Sequence, residues 1–305
     1  MQLSWIRRHA LAVAACTLAS LGCGSAGVGA LPGGDGGPAS TTDAPLASAD
    51  AASDAPSDLP NDPPPGTKRG VAYGFKSAAD LAALGATVTW WYNWADKPDA
   101  GVAATGFIPM VWNGNFTTAG LEAHVPADAK YLLGFNEPNF GSQANMTPAE
   151  AAAKWPELQA FAQSRGMKLV SPAVNYCGGN CNETDPFVWL QKFFAACTNC
   201  QVDYVGMHWY ACDKPALTNT LAKYKQFGKP LWVTEISCLD TAAKVNDADE
   251  LAYMKDAVDA LESDPMVFRY AWFTGRSTGS PPISLLAADG KLTTLGTAYA
   301  AAPHQ

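Results

Sequence analysis

The chain reads as a (β/α)8 barrel, and three observations predict it. From Lys68 onward, strand-like segments alternate with helical or irregular crossovers, eight strands in all. Several strands are nearly continuous apolar runs, as expected of parallel strands buried on both faces. The 238 residues from 68 to 305 also match the size of such a barrel, roughly 250 residues. The alternative is an open doubly wound sheet, but no G-x-G-x-x-G follows the first strand, so its dinucleotide-binding form has little support.

The expected strands cover 70–75, 88–94, 107–112, 131–136, 169–174, 202–210, 230–235 and 269–274. Pro109 and Pro172 conflict with the third and fifth, because a proline cannot donate to a strand ladder. Thr147-Pro148-Ala149-Glu150 is a capping box with proline at the first helical position. Its helix should run toward Arg165 and stop at Gly166, with Pro156 kinking or restarting it. Asp247 is followed three residues later by Glu250, and Leu251, Met254, Val258 and Leu261 then trace one helical face. Shorter helices are expected near 77–84, 186–196, 215–226 and 293–301, while the second and third crossovers look short or irregular.

The N-terminal part has a different character. Arg7 and Arg8 precede an apolar run from Ala10 to Leu21, too short for a stable membrane span, so residues 1–23 read as an export signal. Cys23 sits where a bacterial lipoprotein is cleaved and acylated, and Cys16 fits the same pattern after a shorter apolar run. An ordinary secretory signal with incidental cysteines is the alternative. Residues 24–67 have no aromatic side chain and no cation and are rich in Gly, Ala, Ser, Asp and Pro. Such a segment cannot bury enough apolar area to offset its ordering entropy, which predicts a disordered linker. Residues 68–305 then form a single domain. The expected location is outside the cytoplasm, as a cell-surface or periplasmic lipoprotein or a secreted protein, and the expected state is a monomer.

Formal net charge is −8, and residues 1–67 hold six Asp and two Arg, leaving 18 cations against 22 acids in the domain. That balance gives no electrostatic reason to bind nucleic acid. The domain keeps six cysteines, at 177, 181, 197, 200, 212 and 238. Their close spacings could suggest zinc or a redox dithiol, but export favours disulfides. Six cysteines allow 15 connectivities; the expected one is Cys177–Cys181, Cys197–Cys200 and Cys212–Cys238. The last would join distant segments and constrain the unfolded chain most.

In a (β/α)8 barrel the chemistry sits where strands end at their C-terminal side. The fourth strand ends in Asn136-Glu137-Pro138, and the seventh in Thr234-Glu235. Two carboxylates thus face each other across the barrel mouth, the pair that glycosidic bond cleavage needs. Glu137 is expected to be the acid/base and Glu235 the nucleophile, in the retaining arrangement with carboxyl groups about 5–5.5 Å apart.

The runs 133–139, 205–210 and 232–235 resemble glycoside hydrolase family 128, within the large retaining clan of (β/α)8 hydrolases, and the resemblance covers residues 68–303. It implies endo-β-1,3-glucanase activity on a β-1,3-glucan polysaccharide or oligosaccharide. By the same resemblance, Asn136 binds a sugar 2-hydroxyl, and His208 or Tyr210 or both hydrogen-bond the nucleophile and hold it ionised. A loop asparagine and a satisfied core histidine are the plainer alternatives.

Trp90, Trp91, Tyr92, Trp94, Trp112, Trp209 and Trp272 crowd the strand ends. Sugar rings stack on such side chains, although core packing should claim about half of them. Alternation gives Trp90, Tyr92 and Trp94 one face and Trp91 the other. Trp112 and Trp272, then Trp94, are the expected sugar contacts, with Asn113 as a hydroxyl ligand. Glu122, Glu150, Glu157, Glu183, Glu250 and Glu262 are expected at the surface. No cofactor and no catalytic metal are expected. A non-catalytic glucan-binding protein, a hydrolase of another β-linkage and a thiol–disulfide protein using Cys197 and Cys200 are the competing readings.

Overall fold

The computed structural model describes residues 66–239, 245–278 and 282–303. The signal segment with Cys16 and Cys23, and the linker up to residue 65, lie outside the described residues. The elements run β1 (Arg69–Ala72), α1 (Ala78–Ala83), β2 (Trp90–Tyr92), α2 (Thr118–His124), β3 (Tyr131–Leu133), α3 (Pro148–Ser164) and β4 (Lys168–Val170). They continue with α4 (Pro186–Ala196), β5 (Val205–Trp209), α5 (Lys214–Tyr224), β6 (Leu231–Ile236), α6 (Asp247–Ser263), β7 (Val267–Trp272) and α7 (Thr294–Ala301). Each of these helices starts at a Ser, Thr, Asp or Asn whose side chain accepts a first-turn amide, so no N-terminus is left to tertiary contacts alone.

The strands close into a ring. One parallel sheet has the order β2-β1-β7-β6-β5, and β3 pairs with β4. Segment 107–111 joins the two through parallel bridges from Phe107 to Trp91 and from Met110 to Leu133. Bridges from Val170 to Tyr204 and from Val174 to Met207 close the other side. The third strand is therefore present as a bridging segment, and β4 stops before Pro172. The two prolines interrupt the ladders where their missing donors would be needed. Pro156, by contrast, lies inside a continuous α3. Trp155, Leu158 and Phe161 are buried on either side of it, and their packing carries the helix past one lost hydrogen bond.

Side chains sort cleanly between two cores. Trp90, Tyr92, Ile108, Leu133, Val170, Tyr204, Trp232 and Phe268 fill the barrel interior. Trp91, Val205, Met207, Trp209 and Trp272 face the helices instead. At the floor, the Arg269 guanidinium lies 5.0–5.9 Å from the ring centroids of Trp90, Tyr131, Trp232 and Phe268. Gly134 lets two strands approach closely, since a Cβ there would sit 2.8 Å from the Val170 carbonyl oxygen.

The three disulfides are Cys177–Cys181, Cys197–Cys200 and Cys212–Cys238, as expected. Two carboxylates expected at the surface are buried. Glu262 pairs with Arg69 at 3.0 Å and accepts from the Tyr270 hydroxyl at 2.6 Å. Glu250 is fully buried and accepts the Cys238 amide at 3.2 Å, three residues beyond Glu235. The cap of α6 is Asn246 with Asp249, one residue earlier than the Asp247–Glu250 pair, which frees Glu250 to point inward.

Burial pushes the Glu250 carboxyl up to about 7, the Cys238 amide only partly opposing it, from an ordinary value of 4.5. The folded state therefore holds its proton longer than the unfolded chain does. This stabilisation is complete below pH 4.5 and is lost as pH rises toward 7, about 3 kcal/mol at most. Thermal melts from pH 4.5 to 8 should show the parent losing stability, and Glu250→Gln, which stays neutral, should flatten that slope.

Candidate active site

Glu235 reaches the barrel interior because β6 bulges. Met207 pairs with Val233, but the next residue, His208, pairs with Glu235, so Thr234 is the extra residue. On the other side Val233 pairs with Tyr270 and Ile236 with Trp272, again with one residue too many on β6. Strict alternation from inward-facing Trp232 would turn Glu235 outward; the bulge re-aims it. Glu137 follows β3, where its amide donates to the Ala173 carbonyl at 2.9 Å. Its φ is 40°, a left-handed conformation that costs a non-glycine residue of order 1 kcal/mol or more and persists only where the surroundings impose it. Trp94, with φ 59°, is held the same way.

Glu137 and Glu235 are both buried, at 7% and 3% exposure, so neither charge is supported by bulk water. Donors from several strands replace it. Glu235 Oε1 accepts from the Trp94 indole at 2.7 Å and from the Tyr92 hydroxyl at 3.0 Å, and Oε2 accepts from the Tyr210 hydroxyl. Hydrogen bonds to a carboxylate favour its ionised form. Burial and the charge of Glu235 push the Tyr92 phenol well above its ordinary pKa, which keeps it a donor.

His208 stands between the two acids. Its Nδ1 is 3.0 Å from Glu137 Oε1 and its Nε2 is 3.5 Å from Glu235 Oε1. Burial works against a charged imidazole, yet the field of Glu235 and the hydrogen bond and field of Glu137 raise its pKa above the ordinary value. Asn175 Nδ2 approaches Glu137 Oε1 from another direction, at 3.4 Å. Asn136 is 1% exposed; its Nδ2 contacts Gln143 at 3.4 Å and its Oδ1 has no protein partner.

Trp94, Trp112 and Asn113 line one cavity of about 210 Å³, with Asn115 and Phe116. Trp94 thus both borders this cavity and donates to Glu235. Trp272 is not a cleft residue. It is fully buried on the outer face, its indole donating to the Ile283 carbonyl at 2.9 Å and its ring packing on Tyr299. Alternation places Ala271 and Phe273 inward, and Phe273 meets both Trp94 and Tyr210, at 5.9 and 5.6 Å between centroids. Sequence reasoning missed Tyr92, Asn175 and Phe273. The alternation that grouped Tyr92 with Trp94 could have found the first, and the same count along β7 the last.

A catalytic domain of this build is what the comparisons with known proteins return. The glycosyl hydrolase catalytic core family matches residues 70–299. A subgroup II endo-β-1,3-glucanase of Sorangium cellulosum, a solved structure of glycoside hydrolase family 128, is 46% identical and superimposes with TM-score 0.72, over 77% of this chain and 98% of that one. The chain belongs to glycoside hydrolase family 128. A subgroup I family 128 endo-β-1,3-glucanase of Amycolatopsis mediterranei, solved with laminaritriose, is 32% identical with TM-score 0.62, over 78% of this chain and all of that one. Alkali-sensitive linkage protein 1 of Schizosaccharomyces pombe is 26% identical over 70% of this chain, which spans only 40% of that longer protein.

Replacing Tyr210 with Phe removes one donor to Glu235 and keeps the ring. The carboxylate is then less stabilised relative to its acid, so the acidic limb of the pH–kcat/KM profile should move to higher pH. At the optimum, kcat/KM should fall about 10²-fold, with the melting temperature nearly unchanged.

Proposed function

We propose that this chain is an endo-acting, configuration-retaining hydrolase of β-1,3-glucan. The observation that carries the reading is a pair of buried glutamates bridged by one imidazole, with three further donors converging on Glu235 alone. A binding protein needs sugar contacts but has no use for an ionised carboxylate so supported. The family and its β-1,3-glucanase members at 32–46% identity supply the linkage.

Glu235 attacks the anomeric carbon while Glu137 gives its proton to the departing glycosidic oxygen, leaving a covalent glycosyl-enzyme. Water then attacks the same carbon, Glu137 takes its proton, and Glu235 leaves as carboxylate. His208 serves both stages. With its pKa raised by the two acids, the ring donates Nδ1–H to Glu137 Oε1 and turns Nε2 toward Glu235, which leaves Glu137 Oε2 for the proton exchanged with the glycosidic oxygen and then with water. The buried Asn136 carboxamide, whose Oδ1 has no protein partner, supports its reading as the ligand of the sugar 2-hydroxyl. Trp94, Trp112 and Asn113 offer a binding surface along the cleft, and Phe273 takes the place expected for Trp272.

Three disulfides fit an oxidising compartment. With the signal-like residues 1–23 and the linker 24–67, they support export, with Cys23 as the lipid-bearing residue and the enzyme working as a monomer on glucan outside the cytoplasm.

Reducing-sugar release from soluble β-1,3-glucan, against mannan and β-1,4-glucan controls, tests linkage. Glu235→Gln should lose at least about 10³-fold in kcat and Glu137→Gln about 10²–10⁴-fold. Proton NMR of the first product formed should show the β-anomer; the α-anomer would exclude double displacement.

A further inference from the structure

We propose that Tyr176 is the stacking platform for the leaving-group sugar, and for the acceptor sugar when the glycosyl-enzyme is transferred rather than hydrolysed. This assignment rests on the glucanase reading above. Tyr176 is the one large hydrophobic side chain that is exposed among the described residues, at 45%. A single exposed aromatic is ordinary by itself. Its position and its support are not.

The Asn175 carboxamide links it to the acid/base. Asn175 Nδ2 contacts Glu137 Oε1 at 3.4 Å, and Asn175 Oδ1 accepts the Tyr176 amide at 2.9 Å. One carboxamide therefore separates the Tyr176 backbone from the group that protonates the glycosidic oxygen. The cradle of Glu235 comes from Tyr92 and Trp94 on the β2 side and Tyr210 after β5, whereas Tyr176 lies in the segment after β4, next to Glu137. The glycosidic oxygen takes its proton from Glu137, so the sugar beyond it falls on the acid's side of the pair, the side from which segment 175–176 comes.

The ring is also held still. Phe187, in the first turn of α4, meets it edge-on with centroids 6.2 Å apart. The Cys177–Cys181 disulfide begins at the next residue. Segment 177–183 is stitched to the loop after Glu137 by the Gly141 amide on the Asn180 carbonyl, at 2.8 Å, and by the Asn182 amide on the Asn139 carbonyl, at 2.9 Å. The buried Asn139 side chain donates back to the Asn175 carbonyl at 2.8 Å and the Glu183 carbonyl at 3.1 Å. Both loops thus move as one piece with the acid. A platform fixed in this way loses little freedom when a sugar's C–H face settles on it. In transfer, an acceptor hydroxyl on this platform gives its proton to Glu137, its oxygen bonds to the anomeric carbon, and the bond to Glu235 breaks.

The test compares the parent, Tyr176→Ala and Tyr176→Phe on laminarihexaose and on β-laminaribiosyl fluoride, whose leaving group is a single small anion. The platform predicts that Tyr176→Ala loses about tenfold in kcat/KM on the hexaose and forms fewer transfer products, while the fluoride is turned over at the parent rate. Tyr176→Phe should match the parent on both. Equal loss on the two substrates, undiminished cleavage of the hexaose by Tyr176→Ala, or a Phe variant as impaired as the Ala variant would each overturn the assignment. A parent inactive on both substrates would overturn the glucanase reading, and this platform with it.

Discussion

Two carboxylates buried at the mouth of an apolar barrel constrain everything around them. Removing a charge from water costs several kcal/mol even after relaxation, so each oxygen must find fixed partners. Here those partners are Tyr92 and Trp94 on and after β2, Asn175 after β4, and His208 and Tyr210 on and after β5. They are far apart in the chain and meet only if the ring closes. The site thus depends on the register of the whole barrel, including the irregular segment 107–111 that completes it.

The opposite end of the barrel secures that closure. Arg69 on β1 is fully buried and donates to Tyr270, to Glu262 and to the carbonyls of Tyr299, Ala302 and Pro303. One side chain from the first strand thereby gathers the last strand, the helix before it and the end of the last helix. Removing either partner of such a buried pair leaves an uncompensated charge, so the clasp is far costlier to break than a surface ion pair.

The sequence exposed the barrel and the two acids because both rest on local pattern. Thr147 and Glu150 form the capping box that their spacing implies, and period-two alternation sorts Trp90 and Tyr92 from Trp91 correctly. Pattern failed where the chain breaks its own period. Alternation resumed beyond β7's own irregularity turns Trp272 outward, away from the cleft in which it was expected. Nothing local in the sequence marks Glu250 or Glu262 as a carboxylate that meets a backbone amide or an arginine from elsewhere, so pattern alone leaves both at the surface. Asn175 was overlooked for the same reason: its partner is 38 residues away.

The aromatic box around Arg269 has a further consequence. With four rings packed against one guanidinium at the floor, the barrel is a cup and not a pipe. A long polysaccharide has no axial route through it and must lie crosswise over the rim. The floor therefore acts as a backstop, and only the loops that follow the strands are left to shape how a sugar chain reaches the two acids.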